Sequence, residues 1–127
     1  MEIVRSNRFT KGFTLVELLV VVLTLGTLTS IALPSYLTSV TGSREGTANA
    51  NARAIASAVQ ARAKATNAYD TTLADYAVDL GGAIPLNPCT GTTIGYTIIS
   101  TGTSATVTAQ VGANCDAWTP ATFSLSL

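Results

Sequence analysis

The sequence predicts an α+β chain: one long N-terminal α-helix with a hydrophobic first half, packed through its second half on a small antiparallel β-sheet head. Three observations carry this. The 21 residues from Phe13 to Leu33, FTLVELLVVVLTLGTLTSIAL, form an apolar run about 32 Å long as a helix, enough to cross a bilayer. From Leu37 to Ala63, apolar or small residues recur every three or four positions. The last third of the chain holds three runs rich in Thr, Val and Ile, with Gly-Thr-Ser turns between them.

Composition bounds the function classes. The chain has 127 residues, which favours one modest domain beside the apolar segment. Lys plus Arg and Asp plus Glu both count seven, and no basic residue follows Lys64, so the head lacks the basic stripe of a nucleic-acid binder and direct nucleic-acid binding is not expected. There is no His, which removes the commonest general base and metal ligand. No nucleophile paired with a base and no phosphate loop is visible, so the chain is read as a non-enzyme without metal or cofactor. Aromatics are 6% against 47% hydrophobic residues overall, so the core is expected to be thin and built of small side chains.

At the N-terminus, Arg5, Arg8 and Lys11 precede Gly12 with only Glu2 opposing them. By the positive-inside rule they hold the N-terminus in the cytoplasm and send the remainder across the membrane. A removable secretory signal would use Ser30-Ile31-Ala32 as its small-x-small site, but the apolar run is long for that role and contains a carboxylate, Glu17. An ordinary single-span anchor accommodates the length and leaves Glu17 without a purpose. A carboxylate at the bilayer centre costs about 2.5 to 3.5 kcal/mol on insertion scales. Near the helix start, the macrodipole favours a negative charge by about 0.3 to 1 kcal/mol. Phe13 and Glu17 are also i and i+4, the spacing for a pair within one helix.

The order of residues distinguishes a third reading. A basic leader is followed by Lys11-Gly12, then Phe13 at the head of the apolar run, Glu17 fifth from Phe13, Gly26 fourteenth, and Ile31-Ala32-Leu33-Pro34-Ser35-Tyr36 near its end. This combination resembles the type IV pilin family, tightly over residues 11–36 and only architecturally beyond them. The resemblance implies a leader, residues 1–12, removed by a prepilin peptidase after Gly12, and N-methylation of the new terminal Phe13. It further implies that Glu17 of an incoming subunit pairs with the Phe13 amine of a subunit already in a filament. Residues 13–34 then serve first as a membrane helix and later as a filament-core helix. Residues Gly26 to Pro34 lengthen by losing helical hydrogen bonds in filaments of this family, and Gly at about 1 and Pro at about 3 kcal/mol make that stretch the weakest part of the span here.

Residues 35–66 are expected to continue as an amphipathic helix with a narrow Ala-rich stripe, Leu37, Val40, Arg44, Ala48, Ala52, Ile55, Val59 and Ala63, in which Arg44 is the break. Arg53, Arg62 and Lys64 fall towards the other side and read as a solvated face. Residues 67–127 form the head. Gly81-Gly82, Pro85, Pro88 and Gly91 mark a loop in which Leu73, Tyr76, Leu80 and Ile84 suggest a short turn packed on the sheet. Asp70, Asp75 and Asp79 lack the alternating ligand spacing of a calcium loop. Strands are expected at 94–100, 105–111 and 121–127 as an antiparallel meander, one face covered by residues 37–63 and the other partly polar.

Cys89 and Cys115 are the only cysteines, and the topology places both in an oxidising compartment, where a disulfide is expected. A bridge closing about 25 residues stabilises by about 3 kcal/mol in the entropy model. It is similar to the family's C-terminal disulfide loop. The resemblance as a whole implies a structural subunit of an extracellular type IV pilus serving twitching, adhesion or DNA uptake. Its implied partners are further copies of itself in a helical filament, inner-membrane lipid before assembly, the prepilin peptidase, and an assembly platform with minor pilins. The rivals are a pseudopilin of a type II secretion system and a non-polymerising membrane-anchored binding module, which would need a pocket or charged patch.

Overall fold

The computed structural model describes residues 12–115 and 118–127; Arg5, Arg8 and Lys11, and all of the expected leader except Gly12, lie outside the described residues. The element order is helix α1 (Leu15–Thr66), a 3₁₀ turn (Leu73–Tyr76), and strands β1 (Tyr96–Ser100), β2 (Ser104–Ala109) and β3 (Thr122–Ser126). The chain divides into two compact units, one ending at Tyr36 and the other running from Leu37 to Leu127.

In the first unit, α1 exposes its apolar residues on every side, from Leu15 through Val22 to Leu33 and Tyr36. The helix remains continuous through Gly26 and Pro34. The hydroxyls that dilute its second half are turned inward on the backbone. Thr24 donates to the Val21 carbonyl at 2.9 Å, Thr27 to Thr24 at 2.9 Å, Thr29 to Leu25 and Gly26 at 3.0 Å, and Ser30 to Thr27 at 2.8 Å. A hydroxyl bonded within its own helix needs no water, so the run is effectively more apolar than its composition indicates.

In the second unit, the small-residue stripe becomes the core. Ala48, Ala52, Ile55, Ala56, Val59 and Ala63 of α1 are buried, together with Tyr76, Cys89, Tyr96, Ile98, Ala105, Val107, Ala109 and Cys115. Burial begins only at Ala48; Leu37 stays exposed, so the covering segment is shorter than residues 37–63. Four of these six helix residues are alanine, which suits a core with few large side chains. The helix ends at Thr66, where Asn67 takes φ +57°, the left-handed conformation that Asn tolerates and that closes helices.

The sheet is the expected meander, order β1-β2-β3, antiparallel throughout. Its register sets Ile98 opposite Val107 and Val107 opposite Phe123, so Tyr96, Ile98, Ala105, Val107, Phe123 and Leu125 share the inner face. The outer face carries Thr97, Thr106, Thr108, Thr122 and Ser124, the polar side of the alternation. β1 starts at Tyr96 instead of Ile94 because Gly95 is pressed against Asn87: a Cβ on Gly95 would lie 2.8 Å from the Asn87 Cβ. Only glycine fits there, and Ile94 is left outside, exposed.

Of Arg53, Arg62 and Lys64, the three cations expected on a solvated face, two lie over aromatic rings. The Arg62 guanidinium stacks 4.7 Å above the Tyr76 ring, pairs with Asp79 at 2.8 Å and donates to the Asp75 carbonyl at 2.7 Å. Arg53 stacks over Phe123 at 5.5 Å. Periodicity assigns a residue to a side of a helix, but long cationic side chains bend back along apolar surface to reach partners. Lys64 alone of the three stays exposed without such a contact.

Candidate functional site

The start of α1 carries the arrangement of greatest chemical interest. Thr14 precedes the first helical residue, and its side-chain oxygen accepts a hydrogen bond from the Glu17 N–H at 3.2 Å. Glu17 reaches back so that its Oε2 accepts from the Thr14 N–H and the Thr14 hydroxyl, each at 3.0 Å. This is a capping box: Ser or Thr at the N-cap and Glu three residues later satisfy each other's orphan backbone donors. Phe13 and Leu18 occupy the flanking staple positions and line one shallow groove with Val16, Glu17, Val20 and Val21.

The i, i+4 spacing of Phe13 and Glu17 is not realised within one helix. The i, i+4 pairing within one helix requires both residues to be helical, whereas α1 begins at Leu15 and Phe13 lies ahead of its cap. The carboxylate is turned towards Thr14 instead. The Gly12–Phe13 bond lies in exposed non-helical chain, with Phe13 84% exposed. Thr14 is the residue the sequence reading missed, and its signal was present: Thr14-Leu15-Val16-Glu17 fits the S/T-x-x-E signature.

The remaining candidates lie elsewhere. Gly26 and Pro34 are both inside α1, and a Cβ at Gly26 would meet nothing within 4 Å, so no packing within the described chain demands glycine there. Cys89 and Cys115 are joined, Cα atoms 5.0 Å apart, and both are fully buried. The bridge ties the loop ahead of β1 to the segment between β2 and β3, the arrangement expected from topology. Trp118, in that segment, is partly buried against the core.

Two of the three aspartates have different side-chain partners. Asp70 accepts from the Thr72 N–H at 2.8 Å, which lowers its pKa, and Asp79 pairs with Arg62. Among the described residues, no three metal-ligating side chains converge. Comparison with protein-family profiles, curated proteins and solved structures found no match.

Proposed function

We propose that this chain is the structural subunit of a type IV pilus-like filament, made as a membrane-anchored precursor and polymerised through the first half of α1. The observation that carries this reading is the apolar helix surface from Leu15 to Leu37, exposed on all sides and headed by a carboxylate. At about 25 cal/mol per Å², such a surface is stable only in lipid or against other helices. The helix fits both in succession.

On this reading, a peptidase cuts after Gly12 on the cytoplasmic side, Phe13 becomes the methylated N-terminus, and its amine pairs with Glu17 of a neighbouring copy. Two charges that are costly alone neutralise each other in a low-dielectric core, and removing one leaves the other uncompensated. Gly26 and Pro34 mark where the helix lengthens in the filament. The disulfide supports a pilus subunit over a major secretion pseudopilin, a class that usually lacks one.

The test is the intact mass and N-terminal sequence of protein sheared from the cell surface and pelleted. A chain beginning at methylated Phe13 and two hydrogens light for one disulfide agrees with the proposal. A chain beginning at Leu33, or one found only as membrane-bound monomer, defeats it.

A further inference from the structure

We infer that, before assembly, the end of the head nearest Leu37 rests on the bilayer surface through a pair of apolar side chains, Ile94 and Val111. This contact presupposes the membrane-anchored precursor proposed above and adds to it a second meeting with lipid, made by the sheet end of the head.

Within the second unit, side-chain contacts order the loops along α1. Arg44 donates to the Asn114 carbonyl at 3.4 Å, whereas Gln60 donates to the Ser126 carbonyl at 2.9 Å and Arg62 pairs with Asp79. Arg44 lies about 10 Å along the helix from Leu37, and Arg62 about 37 Å. Ser104, opposite Ser126, marks the Gln60 end of β2, so Ala109 lies at the other end, towards Arg44. There the Gln110 N–H donates to the Gly95 carbonyl at 2.8 Å, past the last ladder pair, Tyr96 and Ala109. This bond carries the pairing on to Ile94 and Val111, which are 75% and 52% exposed.

Charge is sorted along the same direction. From Leu80 to Cys115 the sequence has no charged residue. Asp70, Asp75 and Asp79 gather at the far end, where Arg62 pairs with Asp79, donates to the Asp75 carbonyl and lies over Tyr76, whose hydroxyl donates to the Asp70 carbonyl. At the near end Arg44 and Glu45 are adjacent and offset each other. Taking carboxylates out of water is costly, so the end that can enter a headgroup layer is the one with Ile94 and Val111.

The length of the span brings lipid to that end. A hydrocarbon core of about 30 Å takes about 20 helical residues, and keeping Glu17 outside it on the cytoplasmic side makes it run from Leu18 to Leu37. The headgroup layer adds about 5 to 7 Å, which reaches to within a few Å of the level of Arg44. A tilt of about 20°, usual for membrane helices, lowers one side of the head across that gap. Entry into a filament removes this end from the bilayer, so the contact belongs to the precursor pool alone.

The test uses the full chain in phospholipid nanodiscs, with one added cysteine carrying a fluorophore and a nitroxide on a fraction of the lipid headgroups. The native bridge is fully buried and leaves the added thiol as the labelling site. Ile94→Cys reports the proposed contact, Leu37→Cys the end of the span, and Val78→Cys an apolar position of similar exposure, 82%, beside Asp79. The nitroxide should quench the Ile94 probe at least about threefold more than the Val78 probe, as for a side chain seated at the headgroup boundary. Val111→Asp, an exposed change, should return at least about half of the lost emission. Equal quenching at Ile94 and Val78, or no recovery with Val111→Asp, overturns the contact. A quenched Leu37 probe beside an unquenched Ile94 probe overturns it while leaving the membrane-anchored precursor intact. An unquenched Leu37 probe defeats the precursor reading and the contact with it.

Discussion

Asn87 donates from Nδ2 to the Gly95 carbonyl at 2.6 Å, and through this bond a fully buried amide fastens the long loop to the start of the sheet. The same Nδ2 donates to the Gln110 carbonyl at 3.1 Å, and Oδ1 accepts from the Cys89 N–H at 2.9 Å. One side chain thus joins the entry to β1, the exit from β2 and the disulfide loop. Asn87→Ala would leave the buried Cys89 N–H without its acceptor, at a cost of about 1 to 3 kcal/mol, while the Gly95 carbonyl would keep the Gln110 N–H at 2.8 Å. Denaturant unfolding of the detergent-solubilised chain should show a loss of about that size, and a variant within about 0.5 kcal/mol of the parent would refute this role.

The Ala stripe makes a size prediction. Ala52 is fully buried, so Ala52→Leu overpacks the interface between helix and sheet and should cost about 1 to 3 kcal/mol. Ile55→Ala, in the same row, opens a cavity and should cost about 2 to 5 kcal/mol. Melting temperatures of the two variants check both values.

Reduction of the bridge between Cys89 and Cys115, 26 positions apart, should lower stability by about 3 kcal/mol. The thin core gives the head little else to offset that loss. Unfolding midpoints with and without reductant measure it, and equal midpoints would show that the fold does not depend on the bridge.

Arg62 is expected to tolerate Lys poorly despite the retained charge. A lysine keeps the attraction to Asp79 but loses the planar stack on Tyr76. Because the pair is about a third exposed, Arg62→Lys should cost only about 0.5 to 1 kcal/mol. Raising the salt concentration should lessen the parent's advantage over Arg62→Ala but not abolish it, since the stacking contact persists; a full loss of the advantage in salt would assign the effect to charge alone.

The pH profile of the head has two edges. Asp70 is held below the ordinary 3.8 chiefly by the Thr72 backbone N–H, so its contribution is present above that value and lost as pH falls through the lower folded value. Burial raises Tyr76 and Tyr96 above 10.0, so their contribution is complete below pH 10 and lost as pH rises through their folded values. Phenolate absorbance should therefore appear together with unfolding on the alkaline side. Phenolate forming fully at pH 10 in a still-folded chain would contradict it.

The α+β class, the length of the helix, the three-strand meander and the bridge between Cys89 and Cys115 were all legible in the chain. Each is written in local chemistry: apolar periodicity, β-branched runs between turn residues, and a single pair of cysteines. The capping box was legible as well, in Thr14 and Glu17 three positions apart, but a charge inside an apolar run draws attention to distant partners before near ones. What only the tertiary structure decided depends on approach between segments far apart in sequence. It set the start of burial at Ala48, the late start of β1 where Gly95 meets Asn87, and the seating of Arg53 and Arg62 on aromatic rings. Helical periodicity fixes a residue's direction from the axis; which neighbour a long side chain meets depends on the loop that folds back over it, and that distance is set by packing alone.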